Sequence, residues 1–166
     1  HHGAVTAFSE GTDKGSTFTV RLPLVEEGGS TEVPSSSVPQ PPTASRRILV
    51  VDDNQDAADS LGTLLQQQGH KVAVAYGGEE GVAKARQWRP DLIFLDLGMP
   101  RLDGIGAAKL LRSLSGGERI ALVALTGWGQ EQDQQRTRDA GFNWHLVKPI
   151  DMKELNRIVS SVPEPA

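Results

Sequence analysis

From Arg46 onward the chain alternates short, unbroken apolar runs with longer stretches of helical periodicity. Ile48-Leu49-Val50-Val51, Leu92-Ile93-Phe94-Leu95 and Ile120-Ala121-Leu122-Val123-Ala124-Leu125 are apolar at every position. A strand covered on both faces reads this way, whereas a half-exposed strand alternates. Residues 55–68 predict a helix with Ala57, Leu61, Leu64 and Leu65 on one stripe and Gly69 as its stop. Lys71–Tyr76 predicts a strand with Val72, Val74 and Tyr76 on one face, and residues 78–88 a second helix. Gly104–Leu114 predicts a third helix, with Ile105, Ala108, Leu111 and Leu114 in register and Gly116-Gly117 as its end. Gln130–Ala140 is polar throughout and predicts a short, exposed helix. Asn143–Val147 predicts the fifth strand, and Met152–Val162 the last helix with Leu155, Ile158, Val159 and Val162 inward. Strand and helix alternating five times imply an α/β fold, a (βα)5 doubly wound parallel sheet in a three-layer sandwich with right-handed crossovers.

The preceding residues follow other patterns. Ala4–Ser9 and Ser16–Leu22 read as two strands joined by a Gly-containing turn, with Phe18, Val20 and Leu22 sharing one face of the second. A lone hairpin is marginal in water, so this piece, residues 1–24, reads as part of a larger domain. Residues 25–45 are rich in Pro and Ser and bury too little apolar surface to offset the entropy of ordering, which predicts a flexible linker. The third segment, residues 46–166, holds the α/β pattern.

Composition narrows the function classes. Of 166 residues, 37% are hydrophobic and 23% charged, and the formal net charge is −4. An acidic balance argues against non-specific binding to nucleic acid or to an anionic membrane. With no cysteine, thiol chemistry and Cys-based metal sites are excluded. No apolar run approaches the roughly 18 residues of a membrane helix, which predicts no membrane contact by this segment. The lack of cysteine permits a reducing cytoplasm, and a cytoplasmic setting is the expectation for this segment, whether or not the parent chain is anchored elsewhere.

Candidate chemistry collects where the apolar runs end. Asp52 and Asp53 follow the first, Asp96 the second and Thr126 the third, while Lys148-Pro149 follows Leu146-Val147. In an open parallel sheet these positions share the carboxyl edge, where ligands bind. Oxygen ligands of this kind suit Mg2+, and crowded carboxylates repel unless a cation lies among them. Asp96, on a loop directly after a buried strand, suits a nucleophile toward phosphorus. Lys148 supplies a point charge for a carboxylate or a phosphoryl oxygen. Pro149 marks a candidate cis peptide. Asp52-Asp53-Asn54 also reads as a helix cap, but that role leaves Asp96 unexplained. His145 alternates with the apolar Leu146 and points to the opposite face or the sheet edge. His70, in a turn, suggests no role, Trp128 is placed to shield the site from water, and Trp88 and Trp144 read as packing residues.

Four motifs in order resemble a response-regulator receiver domain: Val50-Val51-Asp52-Asp53-Asn54, Leu95-Asp96-Leu97-Gly98-Met99-Pro100 with Asp103-Gly104, Ala124-Leu125-Thr126-Gly127, and Ala140-Gly141-Phe142 followed by Leu146-Val147-Lys148-Pro149. The resemblance covers residues 47 to about 162 and implies strand order 2-1-3-4-5. It implies that Asp96 accepts a phosphoryl group from a phosphohistidine, on a histidine kinase or a phosphotransfer domain. Mg2+ would be held by Asp53, Asp96 and the carbonyl of Gly98, with Asp52 acting through water. Lys148 would pair with the phosphoryl group, and Thr126 would swing toward it as the residue at position 145 moves inward. Two departures stand out: Gly127 follows Thr126 where Ala is commoner, and His145 occupies a position usually held by Tyr or Phe. Neither Gly98 nor Trp128 offers a side chain to position a hydrolytic water, which predicts a long-lived phosphoaspartate.

His2-Gly3-Ala4-Val5, Ser9-Glu10-Gly11 and Gly15 through Leu24 resemble the last two strands of a histidine-kinase ATPase domain, without its nucleotide-binding elements. The two resemblances together imply the C-terminal piece of a hybrid sensor histidine kinase, ending in a receiver that passes phosphate to a downstream phosphotransfer protein or regulates its own kinase. Since only four residues follow Val162, no output domain is expected. A phosphatase of the haloacid-dehalogenase type is disfavoured because Gly98 stands where its second Asp is needed. The alternative is a pseudo-receiver, a phosphorylation-independent protein-binding module.

Overall fold

Five strands, β3 (Arg47–Val51), β4 (Lys71–Ala75), β5 (Leu92–Asp96), β6 (Ala121–Thr126) and β7 (Trp144–Val147), pair in parallel in the order β4-β3-β5-β6-β7. They are preceded by a hairpin of β1 (Ala4–Phe8) and β2 (Thr17–Arg21). Counted from β3, the order is 2-1-3-4-5, as expected. Helices α1 (Gln55–Gln67), α2 (Gly78–Trp88), α3 (Gly104–Ser113), α4 (Glu131–Asp139) and α5 (Met152–Ser161) alternate with the strands. The computed structural model describes residues 4–9, 11–12, 14–21, 45–127 and 131–163, and of residues 131–134 the backbone alone. The expected linker, apart from Ser45, lies outside the described residues, as do Leu22 and Trp128. The chain divides into two units, one within residues 1–40 and one within 41–166.

The unbroken apolar strands have the predicted physical cause: both faces of the sheet are covered. Ile48, Val50, Leu92, Phe94, Val123 and Leu125 pack with Ala58 and Leu65 of α1 and Leu155, Ile158 and Val159 of α5. The intervening residues Leu49, Val51, Ile93, Leu95, Leu122 and Ala124 pack with Ala85 of α2 and Ala107, Ala108 and Leu111 of α3. Each fully buried Leu, Ile or Phe contributes about 1.5–3 kcal/mol relative to exposure.

Three details depart from the sequence reading. The inward row of α1 is Ala58, Gly62 and Leu65, while Ala57 is exposed and Leu61 and Leu64 are half-buried. The stripe is centred on Gly62, where a Cβ would lie 3.0 Å from Cγ2 of Val74. Periodicity scored on large side chains passes over a glycine that permits close approach. Tyr76 lies beyond β4, 39% exposed, and its hydroxyl donates to Asp59 at 2.9 Å. A short 3-10 turn, Gly117–Arg119, was not anticipated.

In the hairpin, Val5 pairs with Val20 and Ala7 with Phe18, so these four share one face. Val5 is 70% and Phe18 73% exposed. The Ser9 hydroxyl donates to the Gly15 carbonyl at 2.6 Å and closes the turn.

His70, to which the sequence suggested no role, is buried. Its Nδ1 accepts from the Arg46 backbone N–H at 3.4 Å, and the Arg46 guanidinium donates to the Pro163 carbonyl at 2.7 Å. Burial first, and the Arg46 charge second, hold the imidazole below its usual pKa of 6.5. A depressed folded-state pKa means the unfolded chain binds the proton more readily. Stability is therefore complete above about pH 6.5 and falls as the pH drops toward the folded-state value, with a slope of at most about 1.4 kcal/mol per pH unit. Urea midpoints measured from pH 7.5 to 5 should show this loss, and it should be smaller in His70→Asn, which keeps an acceptor but cannot take the proton.

Candidate functional site

The strand register itself assembles the site. Val51 of β3 pairs with Leu95 of β5, so Asp52 and Asp96 stand together one step further on. Asp96 pairs with Leu125, which puts Thr126 at the next position of β6. Thr126 pairs with Val147, and the Lys148 N–H then donates to the Thr126 carbonyl at 2.7 Å. Four functional side chains thus reach the carboxyl edge of the sheet because four parallel strands end in register.

The ammonium of Lys148 donates to Asp52 Oδ2 at 2.6 Å and to Asp96 Oδ1 at 2.7 Å. Both carboxylates are buried, while the Lys148 side chain is 32% exposed. The other Asp96 oxygen, Oδ2, accepts from the Gly98 N–H at 2.9 Å, so the carboxylate is held on both sides. Asp52 Oδ1 accepts from the Asn54 N–H at 2.9 Å. Asn54 caps α1 through Ala57, so the cap reading and the site reading hold together, divided between neighbouring residues. Asp53 is exposed, and its carboxylate comes within 4.8 Å of those of Asp52 and Asp96.

Gly104 fixes the far wall. A Cβ there would lie 2.3 Å from the Asp96 carbonyl oxygen and 2.8 Å from Leu97 Cα. Only glycine lets α3 begin against the loop that carries Asp96. Asp103, its N-cap, accepts from the Gly106 N–H at 2.7 Å.

A cleft of ≈ 490 Å³ opens above Asp96, lined also by Gly98, Asp103, Thr126, Arg136 and Lys148. Thr126 is buried within it. The Lys148–Pro149 peptide is cis. His145 stands apart. It pairs with Ala124, two residues before Thr126, and lines a neighbouring cavity with Arg138, Asp151 and Glu154. It is half-buried, and neither ring nitrogen has a hydrogen-bond partner among the described residues. Arg136 was not singled out in the sequence, because α4 is polar on every side and gave no periodic signal for a functional face.

The site's electrostatics are uneven. Burial acts to lower the Lys148 pKa, but hydrogen bonds and charge from Asp52 and Asp96 outweigh it and hold the group above the usual 10.5. The ion-pair contribution is therefore complete below that value and lost only as the pH rises through the raised one. Two carboxylates bond this one ammonium and a third, Asp53, lies beside them, leaving an excess of negative charge. Converging carboxylate oxygens with that excess fit a hard divalent ion such as Mg2+. The geometry also presents one oriented carboxylate to an open cleft, the arrangement a nucleophile needs. Lys148→Met should lower stability at pH 7 by about 1–2 kcal/mol, discounted from the buried-pair range because the lysine is partly exposed. Denaturation of the variant in chelator should show the loss, and added Mg2+ should restore part of it.

Residues 48–160 match the response regulator receiver domain family. Protein PilH of Pseudomonas aeruginosa is 34% identical over 116 residues, 70% of this chain and 96% of PilH. Several other curated relatives are longer, and the chain spans about half their length. The receiver domain of sensor histidine kinase PA1611 from P. aeruginosa, solved with a magnesium ion coordinated in its active-site cleft, is 32% identical. It superposes with a TM-score of 0.66, covering 72% of this chain and 98% of that one. The receiver domain of Ssk1 from Saccharomyces cerevisiae, solved with the phosphotransfer protein Ypd1, gives a similar likeness. Its TM-score is 0.67 at 27% identity, covering 71% of this chain and 88% of the matched chain. On its sequence match and its fold, this chain belongs to the response-regulator receiver family of two-component signalling.

Proposed function

We propose that the 46–166 unit accepts a phosphoryl group on Asp96 from a phosphohistidine and signals by the change that follows. The observation that carries this reading is the bridge from Lys148 to Asp52 and Asp96, which orients one carboxylate in an open cleft. An Asp96 oxygen attacks phosphorus in line, the P–N bond to the donor imidazole breaks, and an acyl phosphate forms. Lys148 exchanges its bond to Asp96 for one to a phosphoryl oxygen. Asp52, Asp53, Asp96 and the Gly98 carbonyl would hold Mg2+, which supplies positive charge against the phosphoryl oxygens. Thr126 follows the new group from the end of β6. His145 moves inward in response; its pairing with Ala124 and its unpartnered nitrogens support a residue with a second stable position.

The donor on this reading is a histidine kinase or phosphotransfer domain, and a phosphotransfer protein is the downstream partner. Residues 1–24 are the end of a kinase ATPase domain and residues 25–45 a linker, in a hybrid sensor kinase working in the cytoplasm. The β-hairpin with its exposed apolar face supports the first of these. Among the described residues, no helix is long and apolar enough to cross a membrane.

Intact mass after incubation with acetyl phosphate and Mg2+ tests the central claim. Wild type should gain one phosphoryl group, and Asp96→Asn should gain none. Absence of the adduct in wild type, together with no NMR response to beryllofluoride, would favour a phosphorylation-independent binding module. Once formed, the adduct should persist well beyond seconds in the presence of Mg2+, because Gly98 offers no side chain to orient water. Decay within seconds would contradict that expectation.

A further inference from the structure

We infer that His145 makes the proposed switch pH-sensitive: a proton taken up by its ring holds the ring outward and opposes the inward movement that follows phosphorylation of Asp96. The inference rests on the proposed phosphoacceptor role of Asp96 and adds a regulator of that same site.

The argument begins with the kind of side chain at this position. An imidazole can change its charge between about pH 5 and 8, whereas a Tyr or Phe ring stays neutral there. The His145 backbone pairs with Ala124 of β6, and the residue lines a cavity of ≈ 580 Å³. The residue is half-buried, yet both ring nitrogens are shut off from solvent and neither has a hydrogen-bond partner. A neutral ring already leaves one donor and one acceptor unmade in that place. Protonation would add a second donor and a full charge where neither an acceptor nor water meets them. The proton is therefore favoured where the ring reaches water and disfavoured where it packs inward.

The surroundings leave solvation to set the direction. Charged groups among the described residues reach the cavity from two elements: Arg138 from α4, and Asp151 and Glu154 at the start of α5. On the β6 side, Ala124 brings no charge. Asp151 Oδ1 accepts from the Lys153 and Glu154 N–H groups at 2.7 and 3.1 Å, and Glu154 pairs with Arg157 at 3.5 Å. Two carboxylates thus stand against two guanidinium groups, and neither sign dominates. Arg138 and Asp151 are exposed, so the cavity opens to water, while the ring nitrogens in their inner position do not. A charged ring gains hydration by turning outward, and a neutral ring loses less by turning in. Proton uptake and phosphorylation then draw one ring in opposite directions, and each weakens the other by the same factor.

Beryllofluoride affinity in Mg2+, followed by NMR at several pH values between 7.5 and 5.5, would be compared for wild type and His145→Phe, which keeps an aromatic ring and cannot take a proton. As the pH falls, wild-type affinity should drop about three- to ten-fold further than that of the variant, the change in proton affinity expected between a hydrated and a half-buried ring. Effects of pH on the carboxylates, on beryllofluoride itself and on His70 are common to both proteins and cancel. In wild type alone, the titration of the His145 ring protons should move to lower pH when beryllofluoride is bound, a readout that needs no variant to fold. Equal pH dependence in the two proteins, or a His145 titration that beryllofluoride leaves in place or moves to higher pH, would overturn the inference while leaving Asp96 as acceptor. Wild type that binds no beryllofluoride at pH 7.5 and takes no phosphoryl group would remove the underlying reading, and this inference with it.

Discussion

One ammonium holds the functional edge together. Lys148 follows β7, yet its partners Asp52 and Asp96 belong to the ends of β3 and β5, with β6 lying between. The side chain thus spans the sheet edge and ties strands that no backbone ladder joins. Without that charge, buried carboxylates would face one another in a medium that screens them poorly. With it, Asp96 is held in one orientation, Oδ1 toward Lys148 and Oδ2 toward the Gly98 amide.

The rest of the domain makes this bridge possible. Parallel strands buried on both faces are held in register by packing from two sides, so their ends are placed accurately. Close approach by small residues adds to this. A Cβ on Gly81 would come within 2.8 Å of Val51 Cγ1, just before the acidic pair, and Gly104 abuts the Asp96 carbonyl. The acidic residues therefore sit on a rigid floor, while the loops and α4 form the walls.

The edge also remains electrostatically incomplete. One ammonium among three carboxylates is enough to orient two of them, Asp52 and Asp96, and too little to neutralise all three. Such an imbalance is costly in a folded protein and is characteristic of sites that take up a cation or a reacting group. The same imbalance links the site and the stability of the fold through one residue, Lys148.

Much of this was legible in the chain itself. Unbroken apolar runs ending in Asp52, Asp96 and Thr126, with Lys148 following Leu146-Val147, determined a doubly covered parallel sheet and the edge on which its chemistry collects, because burial of both strand faces leaves a direct mark on sequence. What local pattern could not carry was decided only by tertiary structure. Gly62 lies at the centre of the α1 stripe because a missing side chain, invisible to hydrophobic periodicity, allows the helix to approach Val74. His70 is an acceptor for Arg46, a residue 24 positions away. Arg136 meets the cleft through the placement of a helix that is polar on all sides. Long-range contacts of single polar or absent side chains have no period, so only the folded chain brings them together.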